Sequence, residues 1–178
     1  LEVPDDLLLQ SIGAIVDLPA FYRFWAMESL VNHSDGYAAN QNNFFIYRDP
    51  STDLVTFIPW GADSLFVGLE WAPPVYLTGW LTQRLWQVPE ARKAYVDAMQ
   101  DLLDTVWNEE NLNDELDRME DLIAGHARDP QTATAFMDEA RRYVEDRRES
   151  IEAELGTLAN QTQDDEMRDP FCVVDVGS

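Results

Sequence analysis

With 178 residues, 46% of them hydrophobic and including six Trp, eight Phe and six Tyr, the chain can bury one real core but not two ordinary ones. Its formal charge of -22 repels phosphate backbones and anionic lipid, which argues against nucleic-acid and membrane-surface roles. The lone cysteine, Cys172, excludes an intrachain disulfide and a cysteine-based zinc site, and no apolar run approaches the roughly 18 residues of a membrane span.

The opening Leu1-Glu2-Val3-Pro4-Asp5-Asp6 lacks the basic start and apolar middle of a signal peptide. Without an initiator Met it reads as a segment of a longer protein, from which a leader can have been lost. Pro4-Asp5-Asp6 caps an apolar stretch, Leu7 to Val16, that predicts a short helix ending near Asp17. Asp17-Leu18-Pro19 starts a second helix, in which Phe21, Phe24, Trp25, Met27, Leu30 and Val31 recur at the spacing of a core-facing stripe. That helix stops at His33-Ser34-Asp35-Gly36. Asn43 to Tyr47 and Leu54 to Ile58 then read as a β-hairpin closed by Arg48-Asp49-Pro50-Ser51-Thr52-Asp53. Beyond Trp71-Ala72-Pro73-Pro74-Val75 the pattern is helical: Leu77–Gln87, Glu90–Trp107, Leu112–His126 and Gln131–Leu155. A polar linker, 156–170, leads to a last apolar piece, Phe171 to Val176, read as a closing strand or an end folded against a partner. The predicted class is α+β, mostly helical, with one hairpin carrying the polar loops.

Those loops hold the parts that phosphoryl transfer needs, in order. Asp35 lies between a buried helix and a strand, where rigid elements place a carboxylate yet leave it open to receive a hydroxyl proton. Taken alone, Asp-Gly is a common turn; His33 before it and the amides after it give it more meaning. Asp63 follows the return strand after Pro59-Trp60-Gly61-Ala62, and a tight hairpin brings its loop to that of Asp35. Magnesium wants one or two carboxylates plus phosphate oxygens, so Asp63 is the expected metal ligand; its plainer alternative is a helix cap. His126 beside Gly125 reads as a C-terminal cap. The acidic stretches Asn108–Asp121 and Asp164–Glu166 lack the order of an EF-hand loop. Arg141-Arg142 and Arg147-Arg148 are expected to pair with Glu145, Asp146 and Glu149 along their own helix.

Protein kinases write their catalytic loop as His-x-Asp-x-x-x-x-Asn, and His33, Asp35 and Asn40 resemble it residue for residue. In kinases the metal-binding Asn also stands directly before the strand, and here that residue is Asn43. Spacing selects Asn40 and position selects Asn43; Asn43 is favoured as the metal ligand, Asn40 is assigned to the nucleotide side, and Asn42 is the weakest of the three.

A longer span, Phe21 to Phe66, resembles the CotH family, the atypical spore-coat protein kinases of bacteria. The matching text is Asn32-His33-Ser34-Asp35-Gly36-Tyr37, Asn42-Asn43-Phe44-Phe45-Ile46-Tyr47 and Phe57-Ile58-Pro59-Trp60-Gly61-Ala62-Asp63-Ser64-Leu65-Phe66. One departure is Gly61, where many members carry a second Asp. The resemblance implies a kinase-like C-terminal lobe that uses ATP with Mg2+ or Mn2+ to phosphorylate Ser or Thr of surface or coat proteins. It places Asp35 in the catalytic position, Asp63 in the metal position, and His33 as a brace of the catalytic loop rather than a proton carrier. It further implies a small lobe upstream, bearing the ATP-contacting lysine, so the isolated segment is expected to be inactive. Lys93, the only lysine, falls inside a later helix and is no substitute. An acidic, lysine-poor surface agrees with a salty, secreted or cell-surface setting, but a GC-rich genome also favours Arg over Lys, and a well-solvated soluble surface is the plainer reading. The alternatives are a non-catalytic, pseudokinase-like surface module that keeps the fold, and a helical interaction domain.

Overall fold

The computed structural model describes residues 5–160. In chain order the elements are α1 (Asp5–Gly13), α2 (Leu18–Leu30), α3 (Tyr37–Asn40), β1 (Phe44–Arg48), β2 (Val55–Pro59), a 3-10 turn (Leu69–Trp71), α4 (Trp80–Trp86), α5 (Pro89–Thr105), α6 (Glu109–Ile123) and α7 (Pro130–Asn160). The class is α+β as expected: helices around one antiparallel hairpin.

Asp17 starts the organising helix. Its carboxylate accepts a hydrogen bond from Ala20 N at 3.1 Å, and Pro19 falls in the first turn, where its missing N–H costs nothing. Along α2, Phe21, Tyr22, Phe24, Trp25 and Leu30 are buried. Trp25 is fully buried, its ring centroid 4.5 Å from that of Tyr95 on α5 and 5.8 Å from that of Trp86 on α4. Its indole N–H donates to Tyr76 O at 2.7 Å, so the one polar atom of a large apolar group is satisfied. Truncation to alanine would open a cavity costing about 3–5 kcal/mol.

The hairpin packs on the same helix. Phe44 pairs in register with Pro59 and Ile46 with Phe57. Phe57 lies 5.0 Å from Phe21 and 5.0 Å from Tyr37, and stacks on Phe44 at 5.6 Å. These rings anchor the N-terminal end of β1, and with it Asn43, against α2 and α3. One rung is added beyond the strands, Trp60 N to Asn43 O at 2.9 Å.

Several boundaries differ from the sequence expectation. Helix α1 ends at Gly13, not near Asp17, because Ile15 to Asp17 extend along β2: Val55 N donates to Ile15 O and Asp17 N to Val55 O. Asn43 stands directly before β1, as the comparison with the kinase loop has it, although the hairpin reading began the strand there; its φ is a left-handed 47°. Helix α4 starts at Trp80 instead of Leu77, because Thr78 N and Gly79 N both donate to Ala38 O, which holds the chain out of the helix. Helix α6 starts at Glu109, with Asn108 capping Asn111 N, and ends at Ile123, where the His126 backbone N–H caps the Ile123 carbonyl. Helix α7 runs past Leu155 and through Gly156 to Asn160, so the polar linker does not begin at Gly156. Residues 161–170 and the apolar piece Phe171 to Val176 lie outside the described residues.

The shortest contacts of the α7 arginines run across helices, and their pairs within α7, Arg141 with Asp138 at 3.7 Å and Arg148 with Glu152 at 3.9 Å, are longer and use other acids than the expected Glu145, Asp146 and Glu149. Arg141 pairs with Asp117 and Glu120 of α6, and Arg148 with Glu109 at 2.6 Å. Arg147 is fully buried and donates to four backbone carbonyls: Ser29 at 2.7 Å, Leu30 at 3.2 Å, Ala72 at 2.9 Å and Pro73 at 2.9 Å. Tyr143 adds its hydroxyl to Leu30 O at 2.8 Å. Carbonyls at a helix C-terminus have no intrahelical partner, and α7 supplies one for the end of α2. Position 147 therefore tells where α2 stops and the polar loop begins.

Candidate active site

The loop after α2 leaves the helix through Asn32, a buried residue with a left-handed φ of 53°. Its side chain is tied at both ends: the amide donates to Val67 O at 2.7 Å, and the Tyr76 hydroxyl donates to Asn32 Oδ1. His33 N then donates back to Glu28 O at 2.8 Å, and Gly36 N to His33 O at 2.9 Å, closing a tight loop with Asp35 at its outer edge.

Asp35 is partly exposed, and three asparagine amides converge on it. Asn40 donates to Oδ1 at 2.6 Å, Asn42 to the same oxygen at 3.4 Å, and Asn43 to Oδ2 at 2.6 Å. These donors stabilise the charged form, Asn40 foremost and then Asn42, and hold the carboxyl below the ordinary carboxylate value despite some desolvation. Asp35 is therefore an ionised acceptor at neutral pH, reachable from solvent. Because Asn40 and Asn43 spend their N–H groups on Asp35, each keeps its carbonyl oxygen for another partner.

The hairpin brings the second loop to the first at Gly61. His33 Nε2 lies 3.3 Å from Gly61 O, and a Cβ on Gly61 would fall 2.8 Å from Asn43 Cγ. The positive φ of Gly61, 66°, suits a residue without a side chain. His33 is itself buried, touching protein atoms through both nitrogens; Nδ1 lies 3.5 Å from Glu28 Oε1. Asp63 stands two residues past Gly61, exposed, with no hydrogen-bond partner among the described residues. Thus Asp35, Asn40, Asn42 and Asn43 form one bonded group, His33 braces it through Gly61, and Asp63 lies on the adjoining loop outside it.

Sequence reasoning missed Glu28. It points from α2 into the interior, where Oε1 accepts from Tyr37 N at 3.1 Å and Oε2 from Ala38 N at 2.7 Å, the first two amides of α3. Burial pushes its carboxyl up to about 7, and the two backbone bonds pull the other way. A signal was present: an acid at position 28 stands among the residues of an otherwise apolar stripe. The helical turn α3 was missed with it, since Gly36 has no side chain to cap the turn and the cap comes from nine residues upstream.

The donors available to a cation are carboxylate and amide oxygens, the hard set that magnesium and manganese prefer over thiolate or imidazole. Among the described residues no three acidic, His or Cys side chains cluster, so a cation here would complete its shell from water or from a ligand's oxygens. The chain's charge of -22 favours cation binding in general. Among the described residues no helix is long and apolar enough to cross a membrane. Among curated proteins none matches the chain. The family of CotH kinase proteins matches residues 5–164.

Proposed function

The chain belongs to the CotH kinase protein family, and from that premise and the Asp35 loop we propose that it carries the catalytic lobe of an ATP- and divalent-metal-dependent protein kinase acting on Ser or Thr. The observation that supports this most is the Asp35 carboxylate, ionised, reachable and aimed by amides on both of its oxygens. In the reaction, the acceptor hydroxyl oxygen bonds to the γ-phosphorus of ATP, the bond to ADP breaks, and the hydroxyl proton passes to an Asp35 oxygen. Asn43, with its carbonyl oxygen left over, and Asp63 would hold the magnesium or manganese ion; Asn40 steadies Asp35 on the nucleotide side. The ion's contribution is to offset charge on the phosphates. His33 holds the Gly61 loop in place rather than moving a proton. The substrate is a protein with exposed Ser or Thr, met at a cell surface, spore coat or outside the cell, where an acidic, lysine-poor surface is at home.

The test compares Asp35→Asn with Asp63→Ala in the intact protein, supplied with ATP, Mg2+ or Mn2+ and a Ser-rich acceptor. Asp35→Asn should keep nucleotide affinity and lose transfer by about 100-fold or more, whereas Asp63→Ala should weaken metal-nucleotide binding. Equal ATP affinity in wild type and Asp63→Ala, together with undiminished transfer by Asp35→Asn, would assign the motif to structure alone.

A further inference from the structure

We propose that Glu28 is a positioning residue for Asp35: its buried carboxylate, by bracing the first turn of α3 and the His33 ring, sets where Asp35 meets the amides of Asn40 and Asn43. The consequence for catalysis rests on the phosphoryl-transfer reading above; the positioning itself does not.

Glu28 brackets Asp35 on both sides. Ahead of it, the Glu28 main-chain carbonyl accepts from His33 N at 2.8 Å, and the carboxylate lies 3.5 Å from His33 Nδ1. Behind it, the same carboxylate takes Tyr37 N and Ala38 N, one on each oxygen. Two routes lead from this bracket to the Asp35 oxygens. Through α3 it reaches Asn40, the last residue of that turn, which donates to Oδ1. Through His33 and Gly61 it reaches Asn43, which donates to Oδ2. Each Asp35 oxygen is therefore placed by one arm of a structure whose root is Glu28.

The fit is close and chemically particular. A Cβ on Gly36 would fall 2.5 Å from Glu28 Oε1 and 2.7 Å from His33 Nδ1, so carboxylate and ring fill the space beneath the loop. With no capping side chain at Gly36, the first amides of α3 depend on Glu28. Both oxygens must accept. Glutamine at this position keeps the shape but turns an NH2 toward one backbone N–H, which loses a bond and opposes two donors. An apolar residue, the usual occupant of such a site, would leave both amides unpaired.

The experiment uses Glu28→Gln in the intact protein, with Gly36→Ala as a second variant that crowds the same bracket while keeping the carboxylate. With ATP, Mg2+ or Mn2+ and a Ser-rich acceptor, kcat should fall about 10–100-fold, as when a supporting residue lets a reacting group drift by an ångström. The KM for ATP should change less than kcat, because of the two groups proposed to hold the metal only Asn43 is reached from Glu28, while Asp63 lies outside the bracket. Independently of activity, the side-chain amide NMR signals of Asn40 and Asn43 should move in both variants at temperatures where each is folded. A purely scaffolding Glu28 would lower Tm and the folded fraction but leave those signals, and kcat per folded molecule, at wild-type values; that result would overturn the proposal. If Glu28→Gln fails to fold, Gly36→Ala decides on the same readouts. If the wild type transfers no phosphate, the kinase reading fails while the amide signals still decide the positioning.

Discussion

Asn43 and Gly61 pack so closely that a Cβ on the glycine would meet the asparagine side chain, 2.8 Å from Cγ and 3.1 Å from Oδ1. The amide that grips Asp35 is thereby pressed from behind by backbone, and the crowding falls on a residue with a φ of 66°. Gly61→Ala should cost about 1–3 kcal/mol from the left-handed conformation and the contact together. The check is urea unfolding, where the midpoint should drop with little change in slope. An unmoved midpoint would mean that the loop shifts freely, and that Asn43 is not held in place.

Glu28 makes stability depend on pH in an unusual direction for an acid. Its carboxyl lies at about 7 in the fold against an ordinary 4.5, raised first by burial. A group with a raised folded value stabilises most below its unfolded value and loses that contribution as pH rises through the folded one. Between pH 4.5 and 7, Glu28 should therefore withdraw about 3 kcal/mol, taking about 1.4 kcal/mol per unit. Glutamine does not titrate, so the stability gap between wild type and Glu28→Gln should narrow over this window. Denaturant melts at pH 4.5, 5.5, 6.5 and 7.5, on the order of four points, measure it; a gap that widens with pH would contradict the sign.

Asp35 should titrate the other way. The amides of Asn40 and Asn42 hold it below its ordinary 3.8, so its ionised form persists into acid. Removing the leading donor with Asn40→Ala should raise the midpoint. A carboxyl-carbon NMR titration of Asp35 in both proteins reads this directly. Identical midpoints would mean that Asn40 does not donate to the carboxylate in solution.

Arg147 donates its hydrogen bonds to four backbone carbonyls, with Glu154 acting on it only through its charge. Burial pulls its guanidinium below the ordinary value, yet its planar fork of donors matches the carbonyls as a lysine ammonium cannot. Arg147→Met should cost about 3 kcal/mol or more, since the carbonyls of Ser29, Ala72 and Pro73 lose their side-chain donor at once. Arg147→Lys should recover only part of that. Equal urea midpoints for Arg147→Lys and wild type would show that charge, not fork geometry, is what the site uses.

What could be read in advance followed the distance between partners. The stripe of Phe21, Phe24, Trp25 and Leu30 declared a buried face because helical spacing is a local property. Asp35, Asn40, Asn42 and Asn43 stood out because the whole group lies within nine residues. Glu28 and Arg147 did not, since charged residues on a helix default to the surface, and what overrides the default lies elsewhere in the chain. Ile15 to Asp17 look like a helix end until Val55 arrives to pair with them. Asp63 is the reverse case, a residue singled out by spacing whose side chain has no hydrogen-bond partner among the described residues.

The clasp of Tyr143 and Arg147 on Leu30 joins residues 113 and 117 positions apart. Contacts of that span form late, since the loop-closure entropy must be met before they give anything back. During synthesis α2, the Asp35 loop and the hairpin leave the ribosome long before α7 exists to cap the carbonyls at the end of α2. The residues proposed to do the chemistry are thus made early and set late. A nascent or truncated chain that stops short of Tyr143 carries the whole motif without the two side chains that close the end of α2.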